Sequence, residues 1–563
     1  MLYTGARILL ECLKREGVDL FFGYPGGQVI DIYNELSSHP DLRHVLVRHE
    51  QGAVHAADGY ARASGKVGVC LATSGPGATN TVTGIATAYS DSIPMVILTG
   101  QVHTALIGND AFQEVDIVGI TRPCTKHNYL VKDVRSLAHI IRQAFYLARS
   151  GRPGPVLVDI PKDVQQATCD FVWPEDVAMS NYCPTFNANL NQLRRAMDVL
   201  VTSRRPLLLA GGGVIMANAA DEVRTIAHLL HMPVTATLMG LGAFPGDDPL
   251  WSGMLGMHGC YAANNAVSQA DVILAVGVRF DDRVTGKLST FAPHARIVHI
   301  DIDPTTLRKN VRVEVPVVSD CLSALQGLRA IVESGHAQKD WEGDHADWLQ
   351  QIKDWQTQQP LAWTKGEHLK PQQVVEALDR ITEGNAIITT EVGQNQMWAA
   401  QFYTYRKPRT FLTSGGLGTM GYGLPAAIGA QMAFPDKLVV DVAGDGSIQM
   451  NSQELMTAVE NKLPVKILIL NNQYLGMVRQ WQELFYNTNY VATDMTGQPD
   501  FVKLAEAYGA EGYRITTEAE LAEILPKALA SPHTAVIDVR VERGENVYPI
   551  VPAGAALDEM LVV

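Results

Sequence analysis

Two short polar motifs, each at the end of an apolar run, contain the residue types that bind a metal ion. "LVVDVAGDG" (438–446) ends in Gly-Asp-Gly around Asp445, and "VKILILNN" (465–472) ends in Asn472. The runs are rich in β-branched residues and a helix-length segment separates them, which predicts neighbouring parallel strands joined by a crossover helix. Ligands bind at the carboxyl edge of such sheets, where carboxylate and amide oxygens suit Mg²⁺. The motifs therefore predict a metal ion that holds a diphosphate, with two ordinary strand-to-helix turns as the alternative.

A carboxylate near the amino end occupies a similar place. Glu50 follows the strand-like "HVLV" and precedes a helix predicted to begin near Gly52, so it lies at a strand's carboxyl end. A carboxylate that only complements the helix dipole is the alternative. The turn "SGPGATN" (74–80) opens another helix, and its backbone N–H groups could face an anion or a polar ring. A cofactor with a ring at one end and a diphosphate at the other could bridge the two regions.

Composition limits the possible classes of protein. The 563 residues predict about three or four domains. The chain contains no run of eighteen apolar residues, which argues against a membrane span. Its net charge of −14, without a basic stripe, disfavours nucleic-acid binding. Seven cysteines without a C-x-x-C pair argue against a disulfide framework or a zinc site, and the first residues lack a targeting leader. We therefore expect a cytoplasmic protein whose partners are small molecules and other protein chains.

Apolar strand runs alternate with helical segments along the chain, which predicts an α/β class with doubly wound parallel sheets. Two passages lack this rhythm, 171–190 and 336–370, and we interpret them as linkers. In the second, Trp341, Trp348 and Trp355 are spaced by seven and should share the helix face that packs against a domain. The predicted units are 1–170, 190–335 and 371–545, followed by a tail, 546–563.

Longer motifs show a family resemblance. A Glu in "RHEQGA", with "GDG" followed after twenty-four residues by "NN", resembles the thiamine-diphosphate (ThDP) enzymes. The chain is further similar to the catalytic subunits of the anabolic bacterial acetohydroxyacid (acetolactate) synthases, almost from end to end. The motifs that carry this likeness are "YPGG", "DAFQEVD", "GRPGPVLVDIPKDV", "LGMHG", "RFDDRVTGKL", "EVGQNQMW", "GGLGTMGYGLPAAIGA" and "NNQYLGMVRQWQ".

The resemblance implies a fold, a reaction and partners. The three units would be a ThDP pyrimidine-binding domain, a central FAD-binding domain and a ThDP diphosphate-binding domain, with the tail as a lid that excludes water from the site. The enzyme, a transferase, would decarboxylate pyruvate and join the two-carbon unit to a second 2-keto acid, the first common step of valine and isoleucine biosynthesis. It would be at least a homodimer with active sites between subunits, and it would bind a small regulatory subunit.

The resemblance also implies roles for single residues. Glu50 would hydrogen-bond the cofactor's pyrimidine ring, and Met420 would bend the cofactor from beneath, a core-filling methionine being the alternative. Mg²⁺ would be held by Asp445, Asn472 and the backbone oxygen of Tyr474. The other residues that match the family's ThDP contacts are Tyr24, Pro25, Val392, Gly393, Gln394, Gln396, Gly418, Gly444, Gly446, Ser447 and Met477.

The substrate pocket follows from the same resemblance. Arg283 would bind the second substrate's carboxylate, a task that suits a planar bidentate donor, whereas a plain salt bridge with Asp281 or Asp282 is the alternative. Trp481 would favour 2-ketobutyrate over pyruvate. Where relatives often have Gln-His-Gln, this chain has Asn395 in the middle, which leaves that residue's contact with the diphosphate open. The residues that match the pocket or its entrance are Gly27, Phe112, Gln113, Lys162, Met257, Val392, Met477, Val478 and Trp481.

FAD is implied by the family alone, because the central unit has no G-x-G-x-x-G fingerprint. Since the reaction has no net redox change, the flavin would be structural. The alternatives are a pyruvate oxidase with a redox-active flavin, a catabolic acetolactate synthase without FAD, and a non-catalytic nucleotide-binding module. The residues that match the family's FAD contacts are Arg152, Gly211, Gly212, Thr237, Leu238, Met257, His258, Gly277, Arg279, Asp281, Arg283, Asp301, Ile302 and Asp320.

Overall fold

The chain folds around three six-stranded parallel sheets that follow one another along the sequence. The computed structural model describes residues 2–177, 179, 181–335 and 337–562. Successive residues of a strand enter different hydrophobic clusters, as Ile97 and Val96 do in the first sheet, so both faces of each sheet are covered. This arrangement confirms the predicted α/β class.

The first sheet has the strand order β3-β2-β4-β5-β7-β6 and lies between helices, with a short antiparallel pair, β1 and β8, beside it. The six strands of the sheet are β2 (Leu20–Gly23), β3 (Arg43–Leu46), β4 (Gly68–Ala72), β5 (Met95–Gln101), β6 (His127–Leu130) and β7 (Pro155–Pro161), and the pair consists of β1 (Leu2–Thr4) and β8 (Thr168–Asp170). Its helices are α1 (Gly5–Arg15), α2 (Ile30–Leu36), α3 (Glu50–Ser64), α4 (Pro76–Thr79), α5 (Val82–Asp91), α6 (Ile117–Thr121), α7 (Val134–Arg149) and α8 (Lys162–Gln166).

The second sheet has the order β11-β10-β9-β12-β13-β14. Its strands are β9 (Pro206–Ala210), β10 (Val234–Ala236), β11 (Trp251–Met254), β12 (Val272–Val276), β13 (Arg296–Asp301) and β14 (Val315–Val318). The helices of this part are α9 (Leu190–Val201), α10 (Gly212–Met216), α11 (Ala220–Leu229), α12 (Tyr261–Gln269), α13 (Asp282–Thr285), α14 (Cys321–Glu333) and α15 (Trp341–Gln358).

The third sheet has the order β16-β15-β17-β18-β20-β19. Its strands are β15 (Ile387–Thr390), β16 (Phe411–Leu412), β17 (Val439–Gly444), β18 (Lys466–Asn471), β19 (Glu511–Ile515) and β20 (Ala535–Arg540). Its helices are α16 (Pro371–Thr382), α17 (Gln394–Phe402), α18 (Gly423–Ala433), α19 (Glu454–Glu460), α20 (Gly476–Phe485), α21 (Phe501–Ala507) and α22 (Glu518–Ala530). The adjacency of β17 and β18, with α19 crossing between them, confirms the prediction from their two sequence runs.

The two predicted linkers pack on the units that precede them. Phe171 and Trp173 contact the core of the first unit. In α15 the three tryptophans are buried as predicted, and Trp348 donates its indole N–H to the Pro206 carbonyl at 2.9 Å. These segments therefore belong to packed structure, and the boundaries 1–170, 190–335 and 371–545 stay predictions.

The first and third units share one core. Helix α3 lies against α18, and the contact is made by small residues such as Ala56, Gly59, Ala426 and Gly429. A Cβ atom added to Gly59 would lie 2.2 Å from the Ala426 carbonyl oxygen. The two backbones thus approach too closely for a side chain at Gly59 or Gly429.

The tail crosses the second unit. Val547, Ile550 and Val551 are buried, and the Val551 amide donates to the Met257 carbonyl at 2.8 Å. The Lys287 amide donates to the Ala555 carbonyl at 3.0 Å. Among the residues described, no helix combines the length and the apolar content of a membrane span.

Substituting Gly429 with Ala tests the close packing of α3 and α18. Its Cβ would meet the Ala56 carbonyl oxygen at 1.9 Å, so the helices must separate, and overpacking costs about 1–3 kcal/mol. We expect a lower thermal unfolding temperature for Gly429→Ala. Gly497→Ala is the matched control, because a Cβ there meets open space. Equal unfolding temperatures for both variants would contradict the packing described.

Candidate active site

The ends of β17 and β18 bring the two predicted metal ligands to one edge of the third sheet. Gly444 pairs with Leu470 in register, so Asp445 and Asn472 each begin the loop that follows their strand. Both side chains are buried, at 1% and 4% exposure. The parallel pairing alone is therefore sufficient to place a carboxylate beside an amide.

The Asp445 carboxylate lies at this buried edge without a direct ion pair to a Lys, Arg or His nitrogen of the described residues. Burial is the largest effect on its pKa and raises it to about 7, although the Asn472 backbone N–H and the Arg540 guanidinium act in the opposite direction. Asn472 donates to Gln394 Oε1 at 3.1 Å and accepts from the Tyr474 amide at 3.1 Å, which orients its amide oxygen. A buried carboxylate without a direct ion pair, beside an oriented amide oxygen, is a donor set that fits a small divalent cation.

A small cavity of about 90 Å³, hereafter the smaller cavity, lies over these ends. The predicted ThDP and metal residues that line it are Val392, Gly393, Gln394, Met420, Gly444, Asp445, Gly446, Ser447, Asn472, Tyr474 and Met477, and the predicted pocket residue Val478 lines it as well. The other two predicted third-unit contacts, Gln396 and Gly418, line a larger neighbouring cavity instead.

The backbone around the smaller cavity fits a diphosphate. Helix α17 begins after Gly393 without a side-chain cap, so its first N–H groups are free for an anion. A Cβ on Gly446 would lie 2.6 Å from Leu475, and a Cβ on Gly476 would lie 2.0 Å from Gln394. Only glycines keep these turns close enough to leave the cavity open.

The structure also defines the contacts of Asn395, which stands where the family motif often has histidine. Its side-chain N–H₂ donates to the carbonyls of Glu391 and Val442, at 2.9 and 2.8 Å. The residue thus ties the end of β15 to β17, and its amide hydrogens are used within the protein.

The first unit places Glu50 at the start of α3, where the carboxylate is 9% exposed. Its Oε2 accepts from Asn80 Nδ2 at 2.9 Å, and its Oε1 lies 3.2 Å from where a Cβ on Gly77 would be. The Glu50 carboxylate therefore faces the turn 74–80. The sequence predicted only that each of them lies at the start of a helix.

The remaining first-unit residues gather at the same sheet edge. Lys162 donates to the Gly27 carbonyl at 2.7 Å and pairs with Asp31 at 3.2 Å. A Cβ on Gly75 would touch Gln113, so that glutamine lies over the 74–80 turn. Phe112 is 85% exposed. The loop residues Tyr24, Pro25 and Gly27 are also exposed.

Glu50 and Gln113 line neither the smaller nor the larger cavity in the described structure. The third unit thus offers candidate ligands for a metal ion and a diphosphate, and the first unit offers a carboxylate and an exposed loop.

The larger cavity, of about 590 Å³, lies where the three units meet and has the size of a ligand pocket. All but one of the predicted FAD residues line it: Arg152, Gly212, Thr237, Leu238, Met257, His258, Gly277, Arg279, Asp281, Arg283, Asp301, Ile302 and Asp320. The arginines of this lining could bind a diphosphate, and its apolar residues could pack against a ring system. Both features fit a flavin dinucleotide. Val392 and Met477 line both cavities, which therefore adjoin.

Gly211 is the exception among the predicted FAD residues. It is absent from the lining of the larger cavity, and a Cβ there would lie 2.2 Å from the Gly277 carbonyl oxygen. It serves close packing between the ends of β9 and β12.

Arg283 reaches the mouth of the larger cavity with its side chain 60% exposed. It makes a long ion pair with Asp282, at 3.8 Å, and contacts the Met257 sulfur at 3.4 Å. Such an exposed pair contributes little stability, so the guanidinium is available for a ligand. Trp481 lines the same cavity from α20.

Sequence reasoning missed several residues of these sites. Asp91, Arg149 and Met239 line the larger cavity, although they lie in segments without a binding motif. Glu391 is fully buried beside the smaller cavity. The sequence does contain one indication of Glu391, because an acidic residue directly follows the apolar run "AIITT".

Comparisons with known proteins match the chain to one family. Three family profiles match most of it: thiamine pyrophosphate enzyme, N-terminal TPP binding domain (residues 3–120), central domain (193–328) and C-terminal TPP binding domain (391–539). The chain is 50% identical to the acetolactate synthase isozyme 3 large subunit of Escherichia coli (strain K12), over 99% of this chain and 98% of that protein. It is 47% identical to the acetolactate synthase large subunit of Haemophilus influenzae, with the same coverage. It is 48% identical to acetolactate synthase 1, chloroplastic, of Nicotiana tabacum, over 99% of this chain and 84% of that protein.

Proposed function

The chain belongs to the thiamine pyrophosphate enzyme family and, within it, to the acetolactate synthase large subunits, and from this premise we propose how its residues carry out the reaction. The enzyme converts two pyruvate molecules into 2-acetolactate and CO₂, and pyruvate with 2-ketobutyrate into 2-aceto-2-hydroxybutyrate and CO₂. This is the first common step of branched-chain amino-acid biosynthesis. The observation that carries the proposal is the buried Asp445 carboxylate, which has no direct ion pair in the described structure, beside the Asn472 amide.

Three oxygens would hold Mg²⁺ at the third sheet: the Asp445 carboxylate, the Asn472 amide and the Tyr474 carbonyl. Magnesium takes its other ligands from phosphates and water, so the same ion anchors a diphosphate. The uncapped start of α17 at Gly393 would donate backbone N–H groups to that diphosphate.

The chemistry that thiamine diphosphate supplies when bound is a nucleophilic carbon and an electron sink for the loss of CO₂ from a 2-keto acid. Glu50 would hold and release a proton at its carboxylate, which Asn80 fixes through Oε2. Met420, half-buried in the wall of the smaller cavity, would press on the cofactor from its own loop.

A second copy of the chain would complete the site. The first-unit edge leaves Tyr24, Ile30 and Phe112 exposed at 40%, 52% and 85%, and the third-unit face leaves Leu417 and Met450 exposed at 50% and 55%. Apolar side chains at both half-sites support their burial against another subunit. In such a dimer Glu50 of one chain would serve the smaller cavity of the other.

The second 2-keto acid would bind at the junction of the two cavities. Arg283 would hold its carboxylate, for which the free guanidinium is suited. Trp481 and Met477 offer apolar surface to its alkyl group. The tail, which holds Met257 by a backbone hydrogen bond, would limit the entry of water.

FAD in the larger cavity is part of the same proposal. Arg152 and Arg279 would hold its phosphates, while Met254, Met257 and Val278 provide apolar contacts. Because the reaction transfers no net electrons, the flavin would have a structural role. A small regulatory subunit would bind the chain, as the term large subunit in the names of its relatives implies. The cytoplasmic location stays a prediction from the cysteine pattern.

Product analysis tests the proposed reaction. We expect the purified protein with ThDP, Mg²⁺ and FAD to convert pyruvate into acetolactate, and pyruvate with 2-ketobutyrate into both acetohydroxy acids. Omitting ThDP removes the cofactor that reacts with pyruvate, and omitting Mg²⁺ removes the ion that anchors its diphosphate. Either omission should therefore abolish product. Chromatography and an assay of CO₂ release give the yields. Reduction of the flavin by pyruvate without carboligation would contradict the proposal and support a pyruvate oxidase.

Substituting Trp481 with Leu tests the choice of the second substrate. One methylene in an apolar pocket is worth about 1–3 kcal/mol, or roughly 10–200-fold in selectivity. We expect Trp481→Leu to lose most of the preference for 2-ketobutyrate while still forming acetolactate. The ratio of the two products in a two-substrate competition measures it. Trp363→Leu, an indole outside both cavities that donates to Glu376, is the control. An unchanged ratio in Trp481→Leu would refute the assignment.

A further inference from the structure

Glu391 is a fully buried carboxylate that none of the roles above uses. It directly follows β15 and precedes Val392 and Gly393 at the wall of the smaller cavity. A carboxylate is costly to bury, and burial raises its pKa. Its place in the structure therefore requires compensating donors.

Those donors come from two different loops. Glu391 Oε2 accepts from the Gly421 amide at 2.7 Å and from the Ser447 hydroxyl at 2.5 Å. Gly421 directly follows Met420, and Ser447 lies two residues after Asp445. One oxygen atom thus joins the loop of the predicted cofactor-bending residue to the loop of the predicted metal ligand.

The other oxygen caps a helix. Oε1 accepts from the Leu424 amide at 3.2 Å, in the first turn of α18. The residue at the N-cap position of α18, Tyr422, makes no side-chain cap of its own, so Glu391 supplies it from another strand. The helix dipole favours an anion at this end, which offsets part of the cost of burial.

A further contact holds the same turn from its opposite side. Asn451 donates to the Gly421 carbonyl at 2.6 Å. Gly421 is therefore fixed through both its N–H, by Glu391, and its C=O, by Asn451. The backbone that carries Met420 has little freedom to move relative to the strand ends.

We propose that Glu391 is a positioning residue that sets the Met420 loop against the Asp445 loop and so prepares the site for ThDP. The proposal rests on the proposed function. Glu391 acts only through these loops, since the carboxylate is buried behind them.

The role depends on a group that only accepts hydrogen bonds. Three donors converge on the carboxylate, so a glutamine at this position would turn its N–H₂ toward at least one N–H or O–H group. The neighbouring Asp441 is equally buried and lies beside Glu391, but it differs in its partners: its side chain accepts from Thr389 at 3.3 Å and faces the Glu391 backbone amide. It contacts neither cofactor loop through the hydrogen bonds of its side chain.

Glu391→Gln, with Asp441→Asn as the matched control, tests the proposal. The oligomer freed of cofactors is titrated with ThDP at saturating Mg²⁺ in a calorimeter. We expect Glu391→Gln to weaken ThDP binding about tenfold, and Asp441→Asn to bind as the wild type does. In activity assays Glu391→Gln should raise the KM for ThDP while the KM for pyruvate stays the same. Glu391→Asp keeps an acceptor-only group on a shorter side chain and should lose less affinity than Glu391→Gln.

The outcomes separate the two levels of the argument. A wild-type protein that binds no ThDP would overturn the proposed function itself. A wild type that binds, with Glu391→Gln binding equally well, would overturn the positioning role alone. If Glu391→Gln fails to fold, Glu391→Asp decides: its shorter side chain cannot keep all three donors, so a loss of ThDP affinity larger than that of Asp441→Asn supports the role and a loss no larger refutes it. A tenfold loss in both Glu391→Asp and Asp441→Asn would instead indicate general damage to the sheet and refute it.

Discussion

Parallel pairing of β17 with β18 is the constraint on which the rest of this structure depends. The register places Asp445 and Asn472 at one edge, where the carboxylate has no direct ion pair within the described residues. Burial disfavours the charged form of such a group, and its pKa is raised accordingly. Binding of the proposed metal ion would therefore be linked to the folding of this edge.

In the proposed function two chains share the cofactor site. The third unit of one chain would contribute the anchor for a metal ion and a diphosphate, and the first unit of the other would contribute Glu50 with its exposed apolar loop. Close packing of α3 on α18 holds the first and third units of one chain together. Catalysis would then require dimerisation.

Much of the fold could be predicted from sequence because it depends on local pattern. The apolar runs predicted the strands and the pairing of β17 with β18. The spacing of Trp341, Trp348 and Trp355 predicted one helix face, and all three side chains are buried. The donor networks could not be predicted this way. Glu391 joins residues 421, 424 and 447, and Asn395 joins 391 to 442, contacts that only tertiary structure defines. The larger cavity likewise draws on three units, and no linear motif describes it.

Subunit complementation tests the central claim most directly. Two differently tagged chains, one carrying Glu50→Gln and one Asp445→Asn, are coexpressed, and the mixed oligomer is purified through both tags. Each variant alone is expected to form almost no acetolactate. The mixed oligomer should regain activity, because one of its sites combines an intact Glu50 from one chain with an intact Asp445 from the other. A folded mixed oligomer as inactive as its parents would contradict a site built by two chains from these strand ends.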